Sequence, residues 1–519
     1  MKNKLFCLLL SILMIIPVFV ACTQDNTPHG DGTGPSIHVD TLPPETQPPE
    51  PTEPERIEIE DGPSVIYYTE YDNRVERTGT VKELLTVDPT GATVYSWYVS
   101  AALKEAVQLL CKHYELTEEE ATERINNDAL QIYIAEDLEI QTIMDEYFAN
   151  IANFPGMYNY TTPEAAMVIT DPQTGDILGI MGRRSPKVDN ETICYATEGK
   201  RSPGSSIKPV AVYGPALEYG VINYNSIYYD SPFSGTWPKN YPEGYRGNTL
   251  LHDALCRSVN TVAVKVLNDL TLDKSYEFIH DKLDMTSIIY SETTETGRVV
   301  SDMNLGSIAL GGLTYGLTVR ELTGAYQIFV NEGKFSGTRT VVKILDRYGE
   351  ELIDNTREAE YVISPENASI MTVMLENVVK NGTAKSITLD EKVAVAGKTG
   401  TTSWFHDRWF VGYTPYYVGG VWFGYIPRQN IDDYIGDGPY ANNIWEGVME
   451  KIHEAKVFTD PNYKKEFTMH EGVLYTTICR ESGEIASENC YNTAQGYYAA
   501  YTIPDTEQCS IHGVKQTEE

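Results

Sequence analysis

Residues 397–402 read Gly-Lys-Thr-Gly-Thr-Thr and end the apolar run at 393–396, which predicts a strand. Two more strands are predicted soon afterwards, at 409–413 and 417–425. A pair of strands is also predicted well upstream, at 165–182, and much of the intervening sequence has helical patterns. Strands at both ends of one region with helices between them predict an α+β fold, in which helices pack against an antiparallel sheet.

A second string, Ser205-Ser206-Ile207-Lys208, opens a predicted helix that extends to about residue 219. Residues three apart share one face of a helix, so Ser205 and Lys208 are expected to be neighbours. A serine hydroxyl becomes a good nucleophile when a base takes its proton, and a lysine amine can be that base only when it is neutral. Burial and a nearby cation both lower the pKa of a lysine. Lys398 is the candidate for that cation.

A third string, Ser258-Val259-Asn260, is predicted to open or lie within a helix, because residues 254–266 have helical apolar spacing. The Ser258 hydroxyl is suited to relay a proton between Lys208 and a leaving amine. The Asn260 carboxamide both donates and accepts hydrogen bonds, so it is suited to hold a substrate amide. Each string alone is common by chance, and the hypothesis depends on the three occurring together in this order.

The strand that carries Lys398 is predicted to bind an acidic end of a substrate. Lys398 supplies a positive charge for a carboxylate, and Thr399 and Thr401 supply hydroxyl groups for the same carboxylate. Gly400 has no side chain, which lets an acyl chain approach the backbone closely. The backbone amides of Ser205 and Thr401 are the expected pair of oxyanion donors. Neither a metal site nor a cofactor is predicted for this chemistry.

With these strings in this order, the chain resembles the transpeptidase domain of class A penicillin-binding proteins over about residues 125–519. The resemblance implies the fold shared by penicillin-binding transpeptidases and serine β-lactamases. It extends to further short motifs, which are Asp171-Pro172-Gln173-Thr174-Gly175, Trp237-Pro238-Lys239-Asn240-Tyr241, Leu310-Gly311-Gly312, Asn381-Gly382-Thr383 and Asp407-Arg408-Trp409-Phe410-Val411-Gly412-Tyr413-Thr414-Pro415.

The resemblance implies a D,D-transpeptidase that acts on peptidoglycan stem peptides. Ser205 is then the acylated serine: it attacks a D-Ala-D-Ala bond, releases the last D-Ala, and passes the acyl group to an amine of a neighbouring stem. β-Lactams mimic the donor peptide and are expected to trap this serine. The implied catalytic residues are Ser205, Lys208, Ser258, Asn260 and Lys398, and the implied substrate-binding residues are Thr399, Gly400 and Thr401.

Alternatives at the same site stay open. A D,D-carboxypeptidase differs only in that water, rather than an amine, takes the acyl group. A β-lactamase is disfavoured, because no glutamate is identified that would activate water against the acyl-enzyme. A non-catalytic β-lactam sensor or wall scaffold is disfavoured by the intact catalytic positions.

The 519 residues carry a formal net charge of −34, which argues against nucleic-acid binding. Residues 1–22 combine two lysines, an apolar stretch and Ala21-Cys22, which predicts an export signal that resembles a bacterial lipobox, with Cys22 as the lipid anchor. An uncleaved transmembrane anchor is the alternative. Either one places the catalytic part outside the cytoplasmic membrane. Residues 23–56 are rich in proline and predict a disordered tether.

Residues 57–160 are predicted to form a small α-rich linker domain, with a helix at 97–113, a capping box at Thr117 and a helix cap at Asp137. Class A proteins carry a glycosyltransferase domain ahead of this point. The roughly 70 residues between the proline-rich tract and Leu130 are too few for one. The chain is therefore expected to crosslink glycan that a separate polymerase makes.

The transpeptidase domain is expected at 161–460, followed by a cysteine-containing tail at 461–519. The tail carries Cys479, Cys490 and Cys509, and the last of these lies three residues before His512. A metal site is one interpretation, but the paired Cys-x-x-Cys spacing typical of zinc sites is missing. In an exported chain, a disulfide between two of the three cysteines is the favoured expectation.

Overall fold

The computed structural model describes residues 61–69, 75–87, 91–155, 162–503 and 509–513. The predicted export signal, the anchor residue Cys22 and the tether lie outside these residues. All of the described residues belong to one compact unit, Ile57–Glu519. None of its described helices combines the length and the apolar character that crossing a membrane would require.

The strands fall into two five-stranded sheets and several two-stranded ribbons. In chain order they are β1 (Val65–Thr69), β2 (Val75–Thr80), β3 (Thr86–Val87), β4 (Thr93–Val94), β5 (Gln131–Ile134), β6 (Glu164–Thr170), β7 (Ile177–Met181), β8 (Ile227–Asp230), β9 (Gly247–Leu250), β10 (Glu292–Thr293), β11 (Val299–Val300), β12 (Lys334–Phe335), β13 (Val341–Leu345), β14 (Glu351–Asp354), β15 (Glu360–Tyr361), β16 (Ala396–Thr401), β17 (Asp407–Tyr413), β18 (Val418–Gly424), β19 (Val473–Cys479) and β20 (Thr493–Ala499).

The α-helices are α1 (Trp97–Tyr114), α2 (Glu118–Asn127), α3 (Leu138–Ala149), α4 (Gly214–Glu218), α5 (Leu251–Cys256), α6 (Asn260–Leu270), α7 (Leu272–Tyr276), α8 (Leu305–Leu310), α9 (Val319–Ala325), α10 (Gln327–Val330), α11 (Pro365–Asn381), α12 (Ile431–Ile435) and α13 (Tyr440–Lys456). Some α-helices, among them α1, α3, α9, α11 and α13, pack on the two larger sheets, and others pack on one another.

The central sheet has the order β16-β17-β18-β6-β7, and all of its neighbours are antiparallel. This confirms the predicted α+β architecture, with the strand pair from 165–182 joined to the three strands that follow residue 395. Every residue of β6, β7, β17 and β18 is buried, so both faces of the sheet are covered. A side chain added at Gly419 would strike Trp445 of α13, and one added at Gly420 would strike Thr323 of α9. Because successive residues of a strand face opposite ways, α13 and α9 cover opposite faces.

The second sheet has the order β14-β13-β5-β1-β2, with β1 and β5 parallel. The predicted helix at 97–113 is confirmed as α1, and both the Thr117 capping box and the Asp137 cap are present. The strands β1, β2 and β5 were not predicted. They belong to the same sheet as β13. The expected domain boundary at residue 160 therefore separates, along the chain, strands that pair in one sheet.

A buried carboxylate also connects the two parts. Glu105 of α1 accepts hydrogen bonds from the backbone N–H groups of Thr340 and Val341, at 3.1 and 3.3 Å, and forms an ion pair with Arg320 at 2.8 Å. Tyr98, about two turns earlier in α1, is fully buried and donates to the carbonyl of Ile177. Helix α1 is therefore part of the core that supports the central sheet.

The tail forms the antiparallel hairpin β19–β20, which packs against α11. Asn225 donates its side-chain amide to the carbonyl of Tyr497 at 3.3 Å. Arg480, directly after β19, forms an ion pair with Asp253 of α5. The hairpin therefore contacts the short helix that leads into the Ser258 string.

Candidate active site

The Ser205 string forms a tight helical turn rather than the start of a regular α-helix. Residues Gly204–Ile207 are a 3₁₀ turn, Pro209–Tyr213 are a π-helical turn, and α4 follows. The Lys208 N–H donates to the Ser205 carbonyl, and residues three apart eclipse each other in a 3₁₀ turn. The predicted helix is thus irregular, and a backbone hydrogen bond joins Ser205 to Lys208 within its first turn.

Strand β16 lies directly against this turn, and glycines make the contact possible. Gly204 has φ +56°, a region that side chains rarely adopt, and a Cβ placed there would lie 2.4 Å from the Thr401 carbonyl oxygen. A Cβ on Gly400 would lie 2.2 Å from the Pro203 carbonyl oxygen. The backbone of Thr401 therefore lies beside the turn that carries Ser205.

Ser258 lies between two helices, so of the two predicted possibilities the string opens a helix rather than lying within one. Helix α5 ends at Cys256 and α6 begins at Asn260. Ser258 has φ +59°, and the Val259 N–H turns back to the Ala254 carbonyl at 2.8 Å. A positive φ at a residue other than glycine costs of order 1–3 kcal/mol. This strained conformation interrupts the helix at the serine of the string.

The two lysines converge on Ser258. The Lys208 Nζ donates to the Ser258 carbonyl at 2.9 Å and lies 3.4 Å from the Ser258 Oγ. The Lys398 Nζ lies 3.0 Å from the same Oγ and 3.1 Å from the Thr399 carbonyl oxygen. Both lysines are fully buried. Ser258 is thus the hydroxyl that joins the amine of Lys208 to the amine of Lys398 on β16.

Burial changes the protonation of this pair. Burial lowers the pKa of Lys208 well below its ordinary value, and the charge of Lys398 lowers it further. Burial also lowers the pKa of Lys398, to about 7. Two ammonium groups that share one hydroxyl repel each other, so the pair is disfavoured in its doubly charged form. Burial and repulsion together favour a neutral amine at Lys208.

Asn260 holds Lys208 in place. Its Oδ1 accepts from the Lys208 Nζ at 2.7 Å, and its Nδ2 donates to the Lys239 carbonyl at 2.8 Å. The backbone N–H of Asn260 donates to the Asn240 side chain at 2.9 Å. Within the chain, Asn260 therefore contacts Lys208 and the segment around Lys239. That its amide also holds a substrate amide stays a prediction.

Both threonines that were predicted to bind a carboxylate are accessible to solvent. Thr401 is exposed, Thr399 is half-buried, and the Thr399 hydroxyl lies 2.6 Å from that of Thr383. Thr383 was given no role from sequence, although Asn381-Gly382-Thr383 belongs to the motifs that carry the resemblance. A Cβ on Gly382 would lie 2.3 Å from the Cys256 carbonyl oxygen, so this segment lies against the end of α5.

A buried ion pair behind the site was also missed from sequence. The Arg201 Nε donates to the Asp407 carboxylate at 2.7 Å, and the Trp422 Nε1 donates to the same oxygen at 2.9 Å. The other oxygen of Asp407 accepts from the Thr402 hydroxyl at 3.0 Å. Asp407 therefore links the segment that leads to Ser205 with the end of β16 and the start of β17. A long-range pair of this kind has no local signal in the sequence.

The expected disulfide in the tail is not formed. Cys479, Cys490 and Cys509 are all free thiols, and all three lie against the imidazole of His512. The hairpin and the segment after it bring these residues together from separate parts of the tail, which spacing in the sequence cannot show.

Residues 165–450 match the family model of the penicillin-binding protein transpeptidase domain. The chain belongs to this family. It is 29% identical to penicillin-binding protein 1A of Clostridium tetani over 80% of this chain and 54% of that protein. It is 34% identical to penicillin-binding protein 1A of Aquifex aeolicus over 63% of this chain and 42% of that protein. The chain thus spans about half the length of the curated relatives it matches.

Solved structures share the fold. A crystal structure of penicillin-binding protein 1A from Haemophilus influenzae has a TM-score of 0.60 at 17% identity and covers 80% of this chain and 77% of its own. The PonA1 protein from Mycobacterium tuberculosis, in complex with penicillin V, has a TM-score of 0.56 at 19% identity and covers 72% of this chain and 96% of its own. At these identities, the likeness concerns the fold.

Proposed function

We propose that this chain is a penicillin-binding D,D-transpeptidase, which forms an acyl-enzyme on Ser205 and crosslinks peptidoglycan stem peptides. One observation carries the proposal: the amines of Lys208 and Lys398 meet at the hydroxyl of Ser258, next to the turn that holds Ser205. Membership of the transpeptidase family supports it. These residues supply all the side chains that the proposed chemistry uses.

In the acylation step, the Ser205 Oγ attacks the carbonyl carbon of the D-Ala-D-Ala bond and the neutral Lys208 takes the hydroxyl proton. The negative charge that develops on the carbonyl oxygen is stabilised by the backbone N–H groups of Ser205 and Thr401. Ser258 then gives its hydroxyl proton to the leaving nitrogen and takes in its place the proton held by Lys208, so that the C–N bond breaks, D-Ala departs and Lys208 is neutral again. The Ser258 Oγ is suited to this relay because it lies within reach of both amines.

Binding of the donor is proposed to depend on its terminal carboxylate. The Lys398 ammonium attracts the carboxylate, and the hydroxyls of Thr399 and Thr401 donate hydrogen bonds to its oxygens. Gly400 lets the peptide lie close to the strand. A bound carboxylate also favours the charged form of Lys398, so binding of the donor peptide keeps the Lys398 amine protonated.

The proposal is tested by incubating the purified full-length protein with a fluorescent penicillin, and separately with a D-Ala-D-Ala pentapeptide with and without a free amine. A stable label on Ser205, together with a product that contains the amine, is expected. Release of D-Ala without any amine-containing product would indicate a D,D-carboxypeptidase rather than a transpeptidase. Rapid loss of the label would indicate a β-lactamase, and complete absence of label would leave the sensor or scaffold.

The acylation rate is expected to have a bell-shaped pH dependence. It requires a neutral Lys208, so it falls as the pH drops through the value at which Lys208 takes a proton. It also requires a charged Lys398, so in the free protein it falls again as the pH rises through about 7. The two limbs belong to the coupled pair rather than to separate groups. The second-order rate constant for a fluorescent penicillin, followed across this range, measures both limbs.

The Lys398→Arg variant provides the contrast for this profile, since a guanidinium stays charged throughout. The alkaline limb is expected to disappear in this variant, even where the overall rate is lower. If the alkaline limb persisted at the same pH in Lys398→Arg, the group that titrates there would be one other than Lys398.

We also propose that the catalytic part acts outside the cytoplasmic membrane, anchored by a lipid on Cys22, on glycan made by a separate polymerase. The sequence of residues 1–22 supports the anchor. Labelling of growing cells with radioactive palmitate tests it: the label is expected on the wild-type chain and not on Cys22→Ser. Equal labelling of both would exclude this anchor.

A further inference from the structure

Four metal-binding side chains come together in the tail, far along the chain from the catalytic strings. They are Cys479, Cys490, Cys509 and His512, here called the tail cluster. Their three sulfur atoms and one imidazole nitrogen all lie within 4.8 Å of one another. Cys479 and Cys509 are fully buried, and the other two side chains are partly buried. The cluster therefore has four donor atoms around one point, shielded from solvent.

The three sulfur atoms of the tail cluster lie at nearly equal distances from the imidazole nitrogen. The His512 Nδ1 lies 3.5 Å from the Cys479 Sγ, 3.6 Å from the Cys490 Sγ and 3.5 Å from the Cys509 Sγ. A tetrahedral zinc ion with Zn–S of about 2.3 Å and Zn–N of about 2.05 Å separates sulfur from nitrogen by about 3.5 Å. The equal spacing of three sulfurs around one nitrogen thus matches a shared ion at their centre.

Hydrogen bonding alone does not explain this arrangement. A neutral imidazole nitrogen has either one hydrogen or one lone pair, so the Nδ1 of His512 can satisfy one thiol and not three. A disulfide would bring two sulfurs to about 2.05 Å and leave the third sulfur and the imidazole without a role. A metal ion uses all four groups at once.

The surroundings of the tail cluster suit bound thiolates. The Cys509 Sγ accepts from the Ser482 hydroxyl and from the backbone N–H of His512, both at 3.3 Å. The second ring nitrogen of His512, Nε2, lies 3.5 Å from a carboxylate oxygen of Glu481. A carboxylate beside the second nitrogen is the usual way in which a histidine ligand is oriented. These contacts form a supporting layer around the four donors.

We propose that the tail cluster is a structural zinc site. Three cysteines bind as thiolates, each releasing its proton, and His512 binds through the neutral Nδ1. All four positions of the tetrahedron are filled by the protein, so the site is closed and has no place for a substrate. The ion fastens the end of β19 to the loop before β20 and to residues 509–512.

The proposed ion also has a place in the wider fold. Cys479 precedes Arg480, whose ion pair with Asp253 attaches the hairpin to α5, the helix that ends two residues before Ser258. Zinc in the tail cluster would keep Arg480 in this position. The proposal is separate from the proposed transpeptidase activity, because it concerns only the folding and attachment of the tail.

Metal analysis of the full-length protein, purified without added chelator, tests the site. About one zinc per chain is expected in the wild type, and less than about a tenth in Cys490→Ser. His512→Cys is expected to keep the metal, because four thiolates also bind zinc well. Cys111→Ser is the matched control, since this half-buried cysteine lies outside the cluster, and it is expected to retain one zinc.

A second measurement uses the wild type alone, so it does not depend on whether a variant folds. Removal of zinc by a chelator is expected to expose the tail to limited proteolysis within 473–513, and addition of zinc is expected to restore protection. Cobalt in place of zinc is expected to give the strong absorption of tetrahedral cobalt–thiolate bonds. A metal-free protein with three reactive thiols, a disulfide among the three cysteines, or full zinc content in Cys490→Ser would overturn the proposal.

Discussion

Replacing Ser205 by alanine is expected to abolish the covalent labelling of this protein by penicillin and to lower D-Ala release by at least about 10⁴-fold. The variant has no hydroxyl with which to form the ester, whereas the amines of Lys208 and Lys398 remain. Intact-protein mass spectrometry after exposure to penicillin measures the loss directly, because the wild type gains the mass of one acyl group.

The adjacent Ser206→Ala variant is the control for this experiment. Its hydroxyl is buried and donates to the Pro203 carbonyl at 2.7 Å, so it is not available to a substrate. This variant is expected to keep the label, with a modest loss of stability from one hydrogen bond, about 1 kcal/mol. A label that survives in Ser205→Ala, or that is lost only in Ser206→Ala, would remove Ser205 from its proposed role.

Replacing Lys208 by methionine is expected to slow acylation by about 10²–10⁴-fold, the usual contribution of a general base. Methionine fills most of the same buried volume without an amine, so Ser205 keeps its position and loses its proton acceptor. The rate is measured as the second-order constant for a fluorescent penicillin.

Lys274→Met is the matched control, because Lys274 is an exposed lysine on α7. Its acylation rate is expected to equal that of the wild type. If Lys208→Met were acylated as fast as this control, the base would have to be another group, and Lys398 would be the first to test.

The sequence predicted the central sheet and the residues that meet in the cleft because both have local signals. Strand patterns mark β17 and β18, and the strings around Lys208, Ser258 and Lys398 mark three points that the fold brings together. The Thr117 capping box was predicted for the same reason, since a helix start depends on four adjacent residues.

The features that were missed depend on contacts between distant residues. The positive φ of Ser258, in the short break between α5 and α6, was not predicted, because apolar spacing places the string near a helix but does not locate a break within it. The pairing of β5 with β13 joins segments about 200 residues apart, which no local pattern reveals. From sequence, the choice between a metal site and a disulfide in the tail depended on the spacing of the cysteines. In the fold, a hairpin and a later segment bring the four side chains of the tail cluster together.

The shared sheet has a practical consequence for anyone who wishes to prepare the catalytic part by itself. A fragment cut at the start of the family match, residue 165, would lack β5 and leave one edge of β13 open. Open strand edges recruit other chains, so such a fragment is prone to aggregate. The fragment would also lack Glu105, so Arg320 would lose its ion pair with that carboxylate. A soluble preparation for inhibitor screening or crystallisation should therefore begin ahead of β1.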